Sequence, residues 1–157
     1  MKFTLYNIGK TDVDYLREGI DDFTKRIKRF IDFSIIDLPD IKHTKNTTPE
    51  ELSVREGENI IRAVSASNLI VLFDEKGKEL NTRDFAGWLE KIMSQSYKNV
   101  AFVTGGAYGF SEPVYGMSNQ TVSLSRMTFT HQMVRLIFVE QLYRAITIIR
   151  GIPYHND

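Results

Sequence analysis

The chain is 157 residues long, enough for one domain with a sizeable core. Its 20 Lys plus Arg balance 20 Asp plus Glu, so there is no global positive field of the kind a non-specific nucleic-acid binder carries; a polyanionic partner would have to meet a local basic patch or a second copy of the chain. The absence of cysteine excludes disulfides, thiolate catalysis and sulfur-ligated metal sites.

The opening MKFTLYNIGK has no apolar stretch followed by a small-residue cleavage site, and no run approaches the roughly 18 apolar residues of a membrane span; a cytoplasmic location without a membrane partner is expected. KFTLYNIG alternates, with apolar Phe3, Leu5 and Ile8, and reads as a strand. Asp12 is expected to cap a helix over residues 13–30, where Leu16, Ile20, Phe23, Ile27 and Phe30 recur at three- and four-residue spacing. DFSIIDLP is a second strand stopped at Pro39, and DIKHTKNTTPE is a polar loop. Thr48, Pro49 and Glu51 supply the cap, the first-turn proline and the capping-box acid of a helix that runs to Ser65. LIVLFD is a continuous apolar run, the signature of a strand covered on both faces, and Lys76-Gly77-Lys78 is expected to turn the chain. A helix from Thr82 carries Phe85, Trp88, Leu89 and Ile92. NVAFVTGG is another buried-type strand, a short helix follows Ser111, and TVSLS is the last short strand. A helix over residues 130–150 ends at Gly151 with Pro153 beyond. The order βαβαβαβ(α)βα, without repeat or linker, argues for a single domain over residues 1–157: an α/β fold with a parallel-rich sheet and helices on both faces.

Open α/β sheets bind ligands beyond the carboxyl ends of their strands, here Leu72-Phe73-Asp74, Thr104-Gly105-Gly106 and Leu124-Ser125-Arg126. In VTGGAYGF, Gly105, Gly106 and Gly109 let backbone approach a ligand closely. The spacing is GGxxG, neither the dinucleotide fingerprint nor a P-loop, and a glycine pair after a strand also serves a plain tight turn. The segment 124–130 offers apolar walls in Leu124, Met127 and Phe129 and hydroxyls in Ser125 and Thr128, which suits a mostly apolar ligand with a few polar points. The same residues would serve equally as core and helix cap.

Over residues 133–149 apolar side chains occupy both sides of the last helix, so both sides need cover: the sheet on one and a second copy of the chain on the other. Glu140 and Arg144, four apart, can pair. Arg135 has no partner on its own helix and stands one turn in from the segment 124–130, a candidate for gripping a phosphate or a base. The tail Ile152-Pro153-Tyr154-His155 ends in an aromatic and a titratable ring, able to stack on a base and to handle a proton; otherwise it is an ordinary chain end. Lys25, Arg26, Lys28 and Arg29 make a local basic face, and Lys42, His43 and Lys45 a basic loop.

FVTGGAYGFS, SLSRMTFTHQMVR, EQLYRA and the closing GIPYH, in this order and near these spacings, resemble the bacterial ribosomal large-subunit pseudouridine N3-methyltransferase family of the SPOUT class. The likeness covers essentially the whole chain. It implies a SPOUT-type α/β knot, whose C-terminal segment threads through a loop as a trefoil against the general avoidance of knots. It further implies S-adenosylmethionine as cofactor, no metal, a homodimer, and as substrate the N3 of a pseudouridine in the 23S ribosomal RNA of the assembled ribosome, with no DNA partner. By motif it places cofactor contacts at Phe73, Gly105, Leu124, Ser125, Arg126, Met127, Thr128 and Phe129. Two positions depart from the family pattern: Phe73 stands where leucine is usual, and Thr130 where proline usually precedes the histidine. The reaction so implied is an in-line displacement, N3 attacking a sulfonium methyl and losing its proton to a base or a water path. His155 and Tyr154 are the candidates on the substrate side, His131 is an alternative proton acceptor, and Arg135 and Arg144 would counter negative charge developing on the base. The rival readings are a SPOUT enzyme for another RNA nucleotide, a non-enzymatic ribosome-associated dimer, and a nucleotide-dependent oxidoreductase.

Overall fold

The computed structural model describes residues 1–156. Its strands are β1 (Lys2–Ile8), β2 (Asp32–Leu38), β3 (Leu69–Glu79), β4 (Asn99–Thr104) and β5 (Gln120–Ser123), in the spatial order β2-β1-β4-β3-β5, with every pairing parallel. Between and after them run α1 (Asp14–Ile27), α2 (Pro49–Val64), α3 (Thr82–Met93), α4 (Glu112–Met117) and α5 (His131–Ile149), the alternation that the apolar pattern predicts. No helix among the described residues is long and apolar enough to cross a membrane.

The period-two alternation of the strands divides the core into two layers. Phe3 and Leu5, Val71 and Phe73, and Val100 and Phe102 meet α1, α3 and α5 on one face of the sheet. Ile8, Ile70, Leu72, Ala101 and Val103 meet α2 and α4 on the other. Phe102 is the hub of the first layer, its ring 5.8 Å from Phe3, 5.9 Å from Phe73 and 5.1 Å from Phe138 of α5. Burying each such side chain contributes about 1.5–3 kcal/mol.

The helix starts show how far local signals reach. At α2 the capping box forms: the Thr48 hydroxyl accepts from the Glu51 N–H and the Glu51 carboxylate accepts from the Thr48 N–H, both at 3.1 Å. At α3 the helix begins at Thr82 as expected, and the cap is Asn81, whose side chain accepts from the Asp84 N–H at 2.9 Å. At α1 Asp12 does not cap, and the cap position falls on Val13, which cannot. Instead Gln132 of α5 reaches across: its Oε1 accepts from the N–H of Asp12 and Val13 at 3.1 and 3.4 Å, and its Nε2 donates to the Asp12 carboxylate at 2.6 Å. Two backbone donors at the entry to α1 are thus met by a residue far away in sequence.

Residues 76–78 do not turn the chain back. β3 runs on through them to Glu79 with a shift of register against β5 between Phe73 and Lys78. Gly77 makes this possible by close approach, because a Cβ there would fall 2.5 Å from the carbonyl carbon of Val122 and 2.6 Å from its nitrogen. Both obstacles are backbone, so neither can rotate away.

α5 lies over the sheet between α1 and α3. Phe138, Val139, Leu142, Ala145 and Ile146 are buried beneath it. Leu136 packs against Gly19 of α1, Tyr143 against Phe23 and Phe30, and the Thr82 hydroxyl of α3 donates to Gln141 at 3.4 Å. Met133, Ile137, Glu140 and Arg144 fall on the side opposite the sheet and stay partly exposed.

Gly77→Ala is expected to lift β5 off β3 and cost on the order of 2 kcal/mol or more in urea denaturation. A variant as stable as the native chain would show that the β3–β5 approach is not a constraint.

Candidate active site

A cleft of about 570 Å³ opens at the carboxyl ends of β3, β4 and β5. Phe73, Gly105, Leu124, Ser125, Met127 and Phe129, all expected to contact a ligand, line it together. Arg126 and Thr128 are not among its lining: Thr128 is exposed, and the Arg126 side chain, 84% exposed, points outward to Glu79 with Nε 2.7 Å from the carboxylate. Their neighbours come inward because the segment is folded by its own hydroxyls. Ser123 Oγ donates to the Ser125 carbonyl at 2.9 Å, and Ser125 Oγ accepts from the Met127 N–H at 2.9 Å, local bonds that hold a tight non-helical path. Thr130 then caps α5, accepting from the Met133 N–H at 3.3 Å, so the residue that replaces a proline starts the helix by another route. Met127, 74% exposed, and Tyr108, 49% exposed, leave apolar and aromatic surface at the rim.

The opposite wall is the glycine turn, which is both a tight turn and a site wall. Gly109 has φ +74°, and its N–H reaches the Gly106 carbonyl at 3.3 Å. A Cβ on Gly106 would fall 2.4 Å from Oε2 of Glu56. Asp74 stands in the same cleft, fixed from two sides: Oδ2 accepts from the Tyr115 hydroxyl at 2.9 Å and Oδ1 from the Lys76 N–H at 2.8 Å. Burial first, and then the bond to Asp74, push the Tyr115 hydroxyl well above its ordinary value, so it remains a donor.

A second cleft of about 500 Å³ adjoins the first and shares Gly106, Ala107, Tyr108 and His131 with it. His131, on the first turn of α5, is half-buried; burial and then Arg135 lower its proton affinity, which favours the neutral imidazole. Glu56 lines this second cleft at 4% exposure, with Oε2 buried and unpartnered. Burial, reinforced by Asp40, pushes its carboxyl up to about 7.

Arg135 is not brought to either cleft. It is completely buried, with Nη1 donating to Thr11 Oγ1 at 2.9 Å, Nη2 bonded to the Ile8 carbonyl, and Nε without a partner. Burial lowers its proton affinity while Asp37, Asp12 and Asp40 hold it up. The apparent lack of a partner in sequence reflects a partner on β1 and the loop after it, and the guanidinium ties α5 to that loop rather than gripping a ligand.

Tyr154 and His155 belong to a cluster at the far end of α5. Glu140 accepts from Arg144 Nε at 3.0 Å and from the Tyr154 hydroxyl at 3.1 Å. Arg144 lies 3.3 Å from His155 Nδ1 and 4.7 Å from the centre of the Tyr154 ring, which meets Tyr143 edge-on at 4.9 Å. The Ile152 N–H turns back onto the Thr147 carbonyl at 2.9 Å. The tail is docked by these bonds. A rise of 1.5 Å per residue puts Arg144 roughly 20 Å along the helix from His131, so within one chain the tail and the clefts do not meet. Sequence reasoning missed Tyr115 and Glu56, and placed Asp74 at a ligand-binding strand end without giving it a role. Asp74 carried a signal, a carboxylate directly after the apolar run LIVLF.

Glu56 gives a pH signature. Its folded-state value lies above the unfolded one, so its stabilising contribution is complete below pH 4.5 and is lost as the pH rises through about 7. A displacement of that size corresponds to about 3 kcal/mol. Between those pH values the stability difference between Glu56→Gln and the native chain is expected to move by about that amount in favour of the variant. Urea titrations at the two ends check this, and parallel curves would mean that Glu56 ionises normally.

A family model described as predicted SPOUT methyltransferase matches residues 1–155. Proteins named ribosomal RNA large subunit methyltransferase H from Bacteroides fragilis and Parabacteroides distasonis are 45% and 46% identical over 157 residues, covering all of both chains in each case. The protein of the same name from Flavobacterium johnsoniae is 47% identical over the same span, again with both chains covered in full. A solved structure of a probable methyltransferase from Bordetella pertussis Tohama I, 12% identical, matches with a TM-score of 0.55 over 92% of this chain and 96% of that one, a likeness of fold. The chain therefore belongs to the SPOUT methyltransferase family.

Proposed function

We propose that this protein is an S-adenosylmethionine-dependent methyltransferase that modifies N3 of a pseudouridine in the 23S ribosomal RNA of the assembled ribosome, in the cytoplasm, as a homodimer of single SPOUT units, each closed by a C-terminal trefoil knot. The observation that carries the reading is the cleft formed by the glycine turn and the segment 124–130, in a chain whose full-length relatives are ribosomal RNA methyltransferases by name.

The lining suits the cofactor. Phe73, Leu124, Met127 and Phe129 offer apolar walls for an adenine ring; the glycines leave backbone within reach; Asp74, held by Tyr115, offers a carboxylate to a hydroxyl or an amine. Bound there, the cofactor supplies an electrophilic sulfonium methyl. The chain's own residues have to position the base, exclude water and take up the N3 proton. The neutral imidazole of His131, at the wall common to both clefts, is placed for the proton. Arg144, held by Glu140, replaces Arg135 as the cation that would counter charge developing on the base.

The two ends of α5 give the dimer its role. The cleft lies at the helix N-terminus and the tail cluster at its C-terminus, so packing two copies of α5 antiparallel through Met133, Ile137, Glu140 and Arg144 brings the tail of one protomer to the cleft of its partner. The neutral overall charge fits this arrangement, because local basic residues such as Lys25, Lys28 and Arg29 are doubled and the shape of the ribosome supplies recognition.

A chain truncated after Pro153 is expected to bind S-adenosylhomocysteine like the native protein yet transfer no methyl group to large subunits. A Gly105→Val chain is expected to give no heat on titration with S-adenosylhomocysteine and to be inactive as well. Mixed and reassembled, the two should regain about a quarter of native activity, since half the dimers are mixed and each has one complete site. Mass spectrometry of the ribosomal RNA reads the outcome. No regain on mixing would mean that the tail does not act across the dimer, and full turnover by the truncated chain alone would remove the tail from the mechanism.

A further inference from the structure

The second cleft lies between the loop that follows β1 and the loop that follows β2, and the cofactor cleft adjoins it through Gly106, Ala107, Tyr108 and His131. Glu56 of α2 lines it while only 4% exposed, its Oε2 buried with no hydrogen-bond partner. Leaving a buried polar atom unpaired costs on the order of 1–3 kcal/mol, which is a reason to look for a ligand that meets it. The acid sits against the glycine turn, since a Cβ on Gly106 would fall 2.4 Å from Oε2. The carboxyl therefore stands one glycine away from the cleft assigned to the cofactor.

The rest of the lining matches an unstacked base. Tyr108, 49% exposed, presents an aromatic face. The charged and titratable groups around the acid are Lys10 and Asp12 after β1, Asp40, Lys42 and His43 after β2, and His131 on α5. An aromatic surface, cations on the loops and one hydrogen-bonding group below are what a base swung out of an RNA strand meets. A neutral carboxyl places one O–H donor beside one acceptor, and its complement is a ring edge with N–H next to C=O.

We propose that this second cleft seats the base that receives the methyl group, and that Glu56 reads the ring edge on which N–H and C=O are adjacent. The proposal rests on the substrate reading of the preceding subsection. In pseudouridine the bond to ribose is made through carbon, so N1–H and C2=O are free to meet Glu56 while N3 stays open to methylation. Uridine has no hydrogen on N1, because that atom carries the ribose. Glu56 accepts from N1–H and donates to O2, and no covalent bond to it forms; a uridine in the same seat turns C5–H and O4 toward it and leaves its acceptor oxygen unpaired. It is a specificity residue, and the neutral state that burial and Asp40 impose up to about pH 7 is the form that can donate.

The test uses the full chain and large ribosomal subunits from cells lacking this methyltransferase, prepared with and without pseudouridylation. Glu56→Gln keeps a donor and an acceptor in place, and Glu56→Leu keeps neither. Glu56→Leu is expected to lower kcat/KM on pseudouridylated subunits about 100-fold and to abolish the preference over uridine, with Kd for S-adenosylhomocysteine within about twofold of native. Glu56→Gln retains the preference. A second readout does not depend on the leucine variant: the native preference falls as the pH passes about 7, whereas that of Glu56→Gln stays level. A preference intact in Glu56→Leu, or a native preference level up to about pH 9, overturns the proposal. So does loss of S-adenosylhomocysteine binding in both variants, which would make Glu56 a prop for Gly106. A native chain that binds S-adenosylhomocysteine but methylates neither preparation overturns the substrate reading itself, and this proposal with it.

Discussion

Because all five strands run the same way, their carboxyl ends share one edge of the sheet, and everything that can bind is gathered there. Parallel pairing demands crossovers, and the crossovers supply the helices that bury both faces. The same demand brings loops distant in sequence side by side. The glycine turn after β4, Asp74 on β3 and the hydroxyl-folded segment after β5 meet only because β3 lies between β4 and β5. Gly77 sets how closely the last of these pairings can form.

α5 meets three demands at once. One side closes the sheet with Phe138, Leu142 and Ile146; its first turn, capped by Thr130, puts His131 and Val134 against the clefts; its last turns hold the tail through Glu140 and Arg144. Its apolar character on nearly every side follows from these demands, since the flanks pack on α1 and α3 and the outer side offers Met133 and Ile137. The helix leaves little room for free polar side chains, and those it carries are engaged: Gln132 at the start of α1, Arg135 on the loop after β1, Gln141 near Thr82.

Much of this was legible in the residues. The order of elements, the burial of LIVLF and NVAFV, and the capping box at Thr48 are local patterns, and local physics realised them. The walls of the first cleft could be read because small, apolar and hydroxyl residues cluster at strand ends. What could not be read is non-local. Asp12 looked free to cap α1 only while α5 was out of view, because its carboxylate and its N–H are taken by Gln132. Arg135 looked unpartnered for the same reason. Residues 76–78 have the composition of a turn, but pairing with β5 overrides it. Glu56 sits among polar neighbours of an amphipathic helix and differs from them only in what the fold lays over it.

The bond between Gln132 and the start of α1 has a consequence for biosynthesis. As the chain leaves the exit tunnel amino end first, the N–H groups of Asp12 and Val13, just ahead of α1, wait for their side-chain partner until the start of α5 has been made. The entry to α1 is thereby tied to the arrival of α5, and a nascent fragment lacking residue 132 lacks the side chain that holds that entry.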